Sequence, residues 1–361
     1  MAARAKLTLD IGPMLDDQWT GIPVFTRRLA QSLLRHGGID VEFSVQLTRI
    51  PQSHVLSTID AGTGTLLRSD LERADGNGYG IVDRHAPMLF PTAKNSCTIG
   101  RREATTVHDL STLVMPEVHE DANVMHHMQN FRQDLATDDA VFCASEATRA
   151  ALQLYYPSVA HKARILYQYV DWPESFSTMA RNLPSLQLGR YAVVVGTLEP
   201  RKNLDLLIRA LSKPEIRRSG MRFIVIGKQG WKVDRLLAEL DPEEHSRITF
   251  PGFVSEFVKY RLLRHAEFLI YPSVYEGFGI PALEAMSLGK PVLASMTSSF
   301  PEVIGDAGVF FDPLSVTEFA AAFAEIAHNR KQAQLAPKAR AGAAAFHWQR
   351  MAAPVVQWAR A

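Results

Sequence analysis

One grammar repeats along this chain and limits what it can fold into: a short β-branched run, a turn bearing Gly or Pro, then an amphipathic helical stretch. Continuous apolar runs such as Ala140 to Ala144 suit strands buried on both faces, and so parallel pairing in a helix-covered sheet. Leu7 to Ile11 predicts a strand and Val24 to Leu34 a helix, stopped by Gly37-Gly38. Val41 to Leu47, Thr105-Thr106-Val107 and Ala140 to Ala144 predict further strands, and Ser145 is set to cap the next helix. Residues 50–80, polar and dotted with glycine, give no assignable pattern. From Arg190 the grammar restarts, with strands predicted at Tyr191 to Val195, Arg222 to Ile226, Ile248 to Phe250 and Phe268 to Tyr271.

Two such sheets in 361 residues call for two α/β domains. Trp172 to Gly189, with Pro173, Pro184 and weak periodicity, reads as their linker, which makes residues 1–172 one domain and 173–345 the other. The terminal Ala-rich stretch reads as a helix over 346–361, kinked or broken at Pro354 and packed back onto the first domain.

Composition removes several classes of function. Hydrophobic content of 47% with 21% charged residues excludes wholesale disorder, coiled coil and collagen. No charge-free run is long enough to span a bilayer: Pro291 to Pro301, one of the longest, falls short of the ~18 residues needed. Asp10 interrupts the N-terminal apolar run, so no cleaved secretory signal is expected. Cys97 and Cys143 lack CxxC spacing, suit a reducing compartment and read as inert fillers, so the cytoplasm is the expected location. The net charge of +1 gives no reason to expect nucleic acid. Residues 1–172 hold 16 Lys and Arg against 20 Asp and Glu, and the remainder 23 against 18, which makes the second half the better anion binder.

The richest segment is Tyr271-Pro-Ser-Val-Tyr-Glu276-Gly-Phe-Gly-Ile-Pro281-Ala-Leu-Glu284, running from a strand end into a helix that Gly289 and Pro291 stop. Gly277 and Gly279 let the backbone approach a ligand and aim free N–H groups at an anion at the positive helix end. Glu276 and Glu284, eight residues apart, can both face one ligand, and carboxylates favour polyol hydroxyls. Each Glu equally suits a helix's first turn by complementing its dipole. Gly277-x-Gly279-x-x-Ala282 with Glu302 also matches a relaxed dinucleotide fingerprint, although a Pro in the turn and a late position in the chain are wrong for a first βα unit. A second segment, Val193-Val-Val-Gly196-Thr-Leu-Glu199-Pro-Arg201-Lys202-Asn203, delivers two cations to a strand's carboxyl end, where they neutralise a diphosphate or simply meet solvent.

Together these segments resemble glycosyltransferase family 4, with the likeness strongest from Val193 to Pro313 and closest to its mannosyltransferase-type members. Glu276 to Glu284 resembles the family's E-x7-E element, Arg201 and Lys202 its phosphate-binding pair, and the run Ser298-Ser-Phe-Pro-Glu-Val-Ile-Gly-Asp-Ala-Gly308 follows as in the family. In the first half, Thr20-Gly21-Ile-Pro-Val-Phe-Thr-Arg27 resembles its glycine loop, and Val107-His108-Asp109-Leu110 its acceptor-side His-Asp. Tyr167-Gln-Tyr-Val-Asp171 departs from the Pro-Asn-Gly-Val-Asp of many relatives.

The resemblance implies a GT-B fold, two Rossmann-like domains facing across a cleft, with a nucleotide diphosphate sugar on the second domain and the acceptor on the first. It implies Glu284 on the ribose hydroxyls, Glu276 and the amides of Gly277, Phe278, Gly279 and Ile280 on the donor sugar, and Arg201 and Lys202 on the diphosphate. Gly21 would approach the phosphates, His108 the transferred sugar, and Asp109 would orient nearby groups. Phe253-Val254-Ser255-Glu256 is expected beside the base, with Lys228 and Trp231 bordering base or phosphate. It further implies retention of anomeric configuration, with GDP-mannose the leading donor and a UDP-sugar the alternative, and a glycan or lipid-linked saccharide as acceptor in polysaccharide synthesis. A lipid-linked acceptor would bring the protein to the inner face of the membrane, yet the first half shows no Lys/Arg cluster for anionic lipid. Neither a metal nor another cofactor is expected: no Asp-x-Asp, Walker loop or HExxH occurs, and His119-Glu-Asp with His126-His127 lacks metal register. A dinucleotide-dependent oxidoreductase and a catalytically silent sugar-nucleotide binder are the readings from other classes.

Overall fold

The computed structural model describes residues 4–72, 79–94, 98–119, 121–197, 199–227 and 240–361. The chain folds as two units, Met1–Tyr169 with His347–Ala361, and Val170–Phe346.

The first unit is built on a sheet of eight described strands: β1 (Lys6–Asp10), β2 (Asp40–Val45), β3 (Thr48–Ile50), β4 (Gly80–Ile81), β5 (Met88–Phe90), β6 (Glu103–Val107), β7 (Ala140–Cys143) and β8 (Ala163–Ile165). Their order is β4-β3-β2-β1-β5-β6-β7-β8, parallel from β2 through β8, with β3 and β4 joined antiparallel. Gln46, at φ 54°, makes the tight return from β2 to β3. The helix Gly21–His36 runs past the expected span at both ends and stops at Gly37, left-handed at φ 61°. Ser145 caps the helix Glu146–Tyr155 by accepting from the Thr148 amide at 3.0 Å. The unassignable 50–80 stretch holds two helices, Gln52–Ala61 and Thr65–Glu72, whose buried Val55, Ile59 and Leu67 join the core under β1 and β2.

The last helix, Trp348–Arg360, completes this core with Met351, Val355, Val356 and Trp358, side chains whose burial is worth about 1.5–3 kcal/mol each. It continues unbroken through Pro354, where a kink or break was expected. The interruption falls instead at Ala345–His347, where His347 caps the new helix by accepting from the Arg350 amide. Two rows of apolar contacts outweigh the one hydrogen bond that proline removes.

The second unit carries β9 (Tyr191–Val195), β10 (Arg222–Ile226), β11 (Ile248–Gly252), β12 (Leu269–Tyr271), β13 (Val292–Ser295) and β14 (Gly308–Phe311). Every pairing is parallel and the order is β11-β10-β9-β12-β13-β14. In strand sequence this is 3-2-1-4-5-6, the doubly wound order, whose switch point lies between β9 and β12. The presumed linker is partly helical: Glu174–Arg181 sets Phe176 edge-on to Phe257 and Tyr260. No described helix is long and apolar enough to cross a membrane.

Two buried charges tune the first unit. Lys94, its side chain fully enclosed, donates to Glu103, to Asp138 at 2.8 Å and to Thr137 at 2.9 Å. Burial opposes its charge, but Asp138 and Glu103 outweigh that and hold the ammonium protonated. Lys94→Met strands two carboxylates, and a loss of about 3–5 kcal/mol is expected in urea unfolding of the full chain. At the end of β1, Asp10 accepts from the Gln46 and Gly12 amides, while burial pushes its pKa up to about 6. A raised carboxyl stabilises fully below its unfolded value and loses that contribution as pH rises through 6. The stability of the wild type relative to Asp10→Asn should therefore fall by roughly 2–3 kcal/mol between pH 4 and pH 7. A constant gap would show that Asp10 does not titrate in this window.

Candidate functional site

Open parallel sheets bind ligands outside the carboxyl ends of the strands flanking the switch point. In the second unit those ends belong to β9 and β12, and the charged segments singled out in the sequence follow these two strands. After β9, Gly196 and Gly227 approach so closely that a Cβ on Gly227 would fall 1.9 Å from the Gly196 carbonyl oxygen. The chain then makes the turn Pro200–Lys202 and enters the helix Leu204–Ala210 through Asn203, held left-handed at φ 54°. The Asn203 amide donates to the carbonyls of Pro272 (3.1 Å) and Pro313 (2.8 Å), which pins the turn to the segments after β12 and β14. The Val274 amide donates to the Arg201 carbonyl at 2.9 Å, a second tie between the two loops.

Glu276 lies between the cations. Arg201 Nη1 stands 3.3 Å from Glu276 Oε2 and donates to the Tyr275 carbonyl at 2.9 Å, while Nη2 donates to Glu199 at 2.7 Å. Lys202 Nζ bonds Glu276 Oε1 and stands 5.5 Å over the Tyr271 ring. Burial alone would raise the Glu276 carboxyl, but Lys202 and Arg201 outweigh it and hold the group below the usual carboxylate range. Tyr271, enclosed beside this carboxylate, is pushed well above the ordinary tyrosine value.

The turn from Glu276 to Ile280 is held by the Ser298-Ser299 pair. The Glu276 amide donates to Ser298 Oγ at 3.0 Å, and Ser299 Oγ donates to the carbonyls of Glu276 and Phe278. Gly279, at φ 95° and packed against Phe300 and Tyr271, is the N-cap of the helix Ile280–Ser287. This helix end has no side-chain cap and its positive end favours an anion, although Pro281 lacks an N–H and the Ala282 amide donates to the Gly279 carbonyl at 3.0 Å. Phe278 itself turns into the core beside Phe346, which leaves its backbone as the part a ligand can meet. Glu284, one turn inside the helix and 1% exposed, accepts from Lys259 Nζ at 2.8 Å. Val254 lies in the loop after β11, ahead of Ser255, which caps the helix Glu256–His265. Lys228 and Trp231 lie outside the described residues, as does Cys97; Cys143 is buried, and burial pushes its thiol up to about 12.

The structure thus brings Arg201, Lys202, Glu276, Gly277, Gly279 and Ile280 together at one sheet edge, with Glu284 below them on the same helix. His108, Asp109 and Gly21 belong to the first unit. There His108 follows β6, and its Nε2 meets the Pro91 carbonyl at 2.7 Å with Phe25 edge-on at 4.6 Å. A carbonyl only accepts, so Nε2 carries the proton, and burial lowers the ring's pKa, which leaves Nδ1 a neutral acceptor. Asp109 accepts from the Ser111 amide at 2.9 Å and hydroxyl at 2.6 Å. Gly21 opens its helix at φ 43°, with nothing within 4 Å of where a Cβ would stand. Among the described residues no group of three or more His, Cys, Asp or Glu is set to hold a metal. His119 ends a short turn; Glu120 and the side chains of His126 and His127 lie outside the described residues.

Chemically, two adjacent cations and an open helix end take a doubly charged anion, and a buried carboxylate one turn below takes a pair of hydroxyls. The fingerprint glycines follow the fourth strand of this sheet, not the first, where a dinucleotide-binding loop would stand. Sequence reasoning missed Asn203 as the brace, Glu199 as the second partner of Arg201, and Lys259. The first two stood inside the quoted segment; Lys259 reaches Glu284 from 25 residues away and left no local signal.

Two doubly wound units with this site define a GT-B protein, and solved structures agree. Sucrose-phosphate synthase from Thermosynechococcus elongatus superposes with a TM-score of 0.69 at 19% identity, over 99% of this chain and 98% of that one. Residues 181–342 match the family model Glycosyl transferases group 1. The O-antigen chain mannosyltransferase B of Escherichia coli is 35% identical over 230 residues, covering 61% of this chain and 60% of that protein. The serotype-specific mannosyltransferase WbdA of Escherichia coli is 29% identical over 224 residues, covering 58% of this chain and 27% of that protein. The alignments thus span less than two thirds of those relatives' lengths. The chain has the GT-B fold, its residues 181–342 match the Glycosyl transferases group 1 model, and mannosyltransferases are among its relatives.

Glu276 occupies the cations that an incoming anion needs. Glu276→Gln removes that competition, so pyrophosphate should bind about tenfold more tightly than to wild type in calorimetry, a change of ~1.4 kcal/mol. Equal affinity would mean that backbone contacts, not the carboxylate, govern access to Arg201 and Lys202.

Proposed function

We propose that the chain is a retaining, metal-independent glycosyltransferase that moves mannose from GDP-mannose to a growing glycan or lipid-linked saccharide on the cytoplasmic side. The observation that carries this reading is the Arg201-Lys202-Glu276 cluster at the β9/β12 switch point, with Glu284 buried one turn into the adjoining helix. Two cations suit a diphosphate whose charge grows as the sugar departs, and their fixed position needs no reorganisation at that moment. Glu284 suits the ribose diol and Glu276 the sugar hydroxyls once the diphosphate has taken its cations. The names of the mannosyltransferase relatives support mannose, and with it the GDP donor.

Among the described residues of the second-unit site the carboxylates Glu199, Glu276 and Glu284 are each held by a cation, which supports a front-face route. The C1–O bond to the diphosphate breaks, the acceptor oxygen bonds C1 on the same face, and the acceptor's proton passes to the departing phosphate oxygen. The protein's part is positioning and electrostatics. His108, with Nδ1 as acceptor, and Asp109 serve the acceptor-side unit, with Gly21 as the point of backbone approach.

Thermal unfolding against GDP, UDP, dTDP, ADP, their sugar conjugates and NAD tests the donor. A ligand at 100 times its dissociation constant adds about 2.7 kcal/mol. GDP and GDP-mannose should raise the melting temperature and lose that effect in Glu284→Ala; a response to NAD alone would overturn the reading. Product NMR should show the anomeric configuration kept, and inversion would sink the front-face route.

A further inference from the structure

Glu284 is held by a closed ring of side chains. Lys259, on the helix Glu256–His265, donates to Oε1, and the same ammonium stands 5.6 Å over the ring of Trp172. Trp172 Nε1 donates to Ser287 Oγ at 2.9 Å, and Ser287 Oγ donates to the Glu284 carbonyl at 2.7 Å. Trp172 is fixed in turn by Tyr260, edge-on at 5.3 Å. Lys259 thus sits between the most enclosed carboxylate of the site and an indole face, its side chain 17% exposed.

We propose that Lys259 is a positioning residue that gives Glu284 its selectivity for a ribose diol over a 2′-deoxyribose. The proposal rests on the reading of this unit as a nucleotide-sugar binder. An ionised carboxylate only accepts, so it suits hydroxyls that must donate, and the Lys259 ammonium on Oε1 fixes how it is turned. The indole face holds the ammonium from its far side, and the Trp172–Ser287 bond ties that face to the backbone of Glu284, so the carboxylate's direction is fixed before a ligand arrives. Selectivity follows from fixed acceptors: a sugar lacking the 2′-hydroxyl leaves one of them unpaired.

The full chain is titrated by calorimetry with GDP against 2′-deoxy-GDP, UDP against 2′-deoxy-UDP, and ADP against 2′-deoxy-ADP, in wild type, Glu284→Ala and Lys259→Met. For the nucleotide that binds, wild type should prefer the ribose form by roughly tenfold or more. Glu284→Ala should remove the preference, and Lys259→Met should bring it within about threefold of unity while its melting temperature reports an intact fold. A structural role alone would weaken both forms equally. Lys259→Met with the full preference, beside a Glu284→Ala that has lost it, overturns this proposal and leaves the nucleotide reading standing. Wild type that binds none of these nucleotides, or Glu284→Ala with the preference intact, overturns both. If Lys259→Met does not fold, Lys259→Leu, which likewise removes the donor, is read in the same way.

Discussion

The carboxylate of Glu276 between Lys202 and Arg201 is the contact on which the second unit's site depends. It binds the loop after β9 to the loop after β12, strands adjacent in space and about 75 residues apart in sequence, at the point where the winding of the sheet reverses. Buried ion pairs add little net stability, because desolvation cancels most of the attraction. Their value here is geometric: each cation is aimed by a partner that an anionic ligand can replace. Asn203 and the Ser298-Ser299 pair supply the uncharged half of the arrangement, since they bond backbone carbonyls and amides and not the cations.

Much of this was legible in the sequence because it is local. Strand-to-helix turns announce themselves through glycine and proline, and Gly279-x-Pro281 and Gly289 set the limits of the Ile280–Ser287 helix as read. Adjacent cations at a strand end mark a binding edge before any tertiary contact is known. The strands β6, β7, β9, β10 and β12 were read from the sequence, whereas β5, β8, β13 and β14 were not, although at three or four residues they match β7 and β12 in length.

What stayed hidden depends on distance along the chain. The two helices within residues 50–80 bury only a few side chains each, so their apolar periodicity is thin, and tertiary packing rather than propensity holds them. Pro354 misled in the same way: a residue that breaks an isolated helix is tolerated where Val355, Val356 and Trp358 are already committed to a core. Lys94, Asn203 and Lys259 carry no signature at all, because their partners lie 9 to 110 residues away.

The helix Trp348–Arg360 lies in the core of a unit whose other members end at Tyr169. The second unit is thereby a continuous insertion within the first. During synthesis the six described strands of Val170–Phe346 are all made before the helix Trp348–Arg360 that completes the older unit. The unit translated first must wait, its β1 face uncovered, until Trp358 has left the exit tunnel. The order of translation and the order of completion are therefore opposite in this chain.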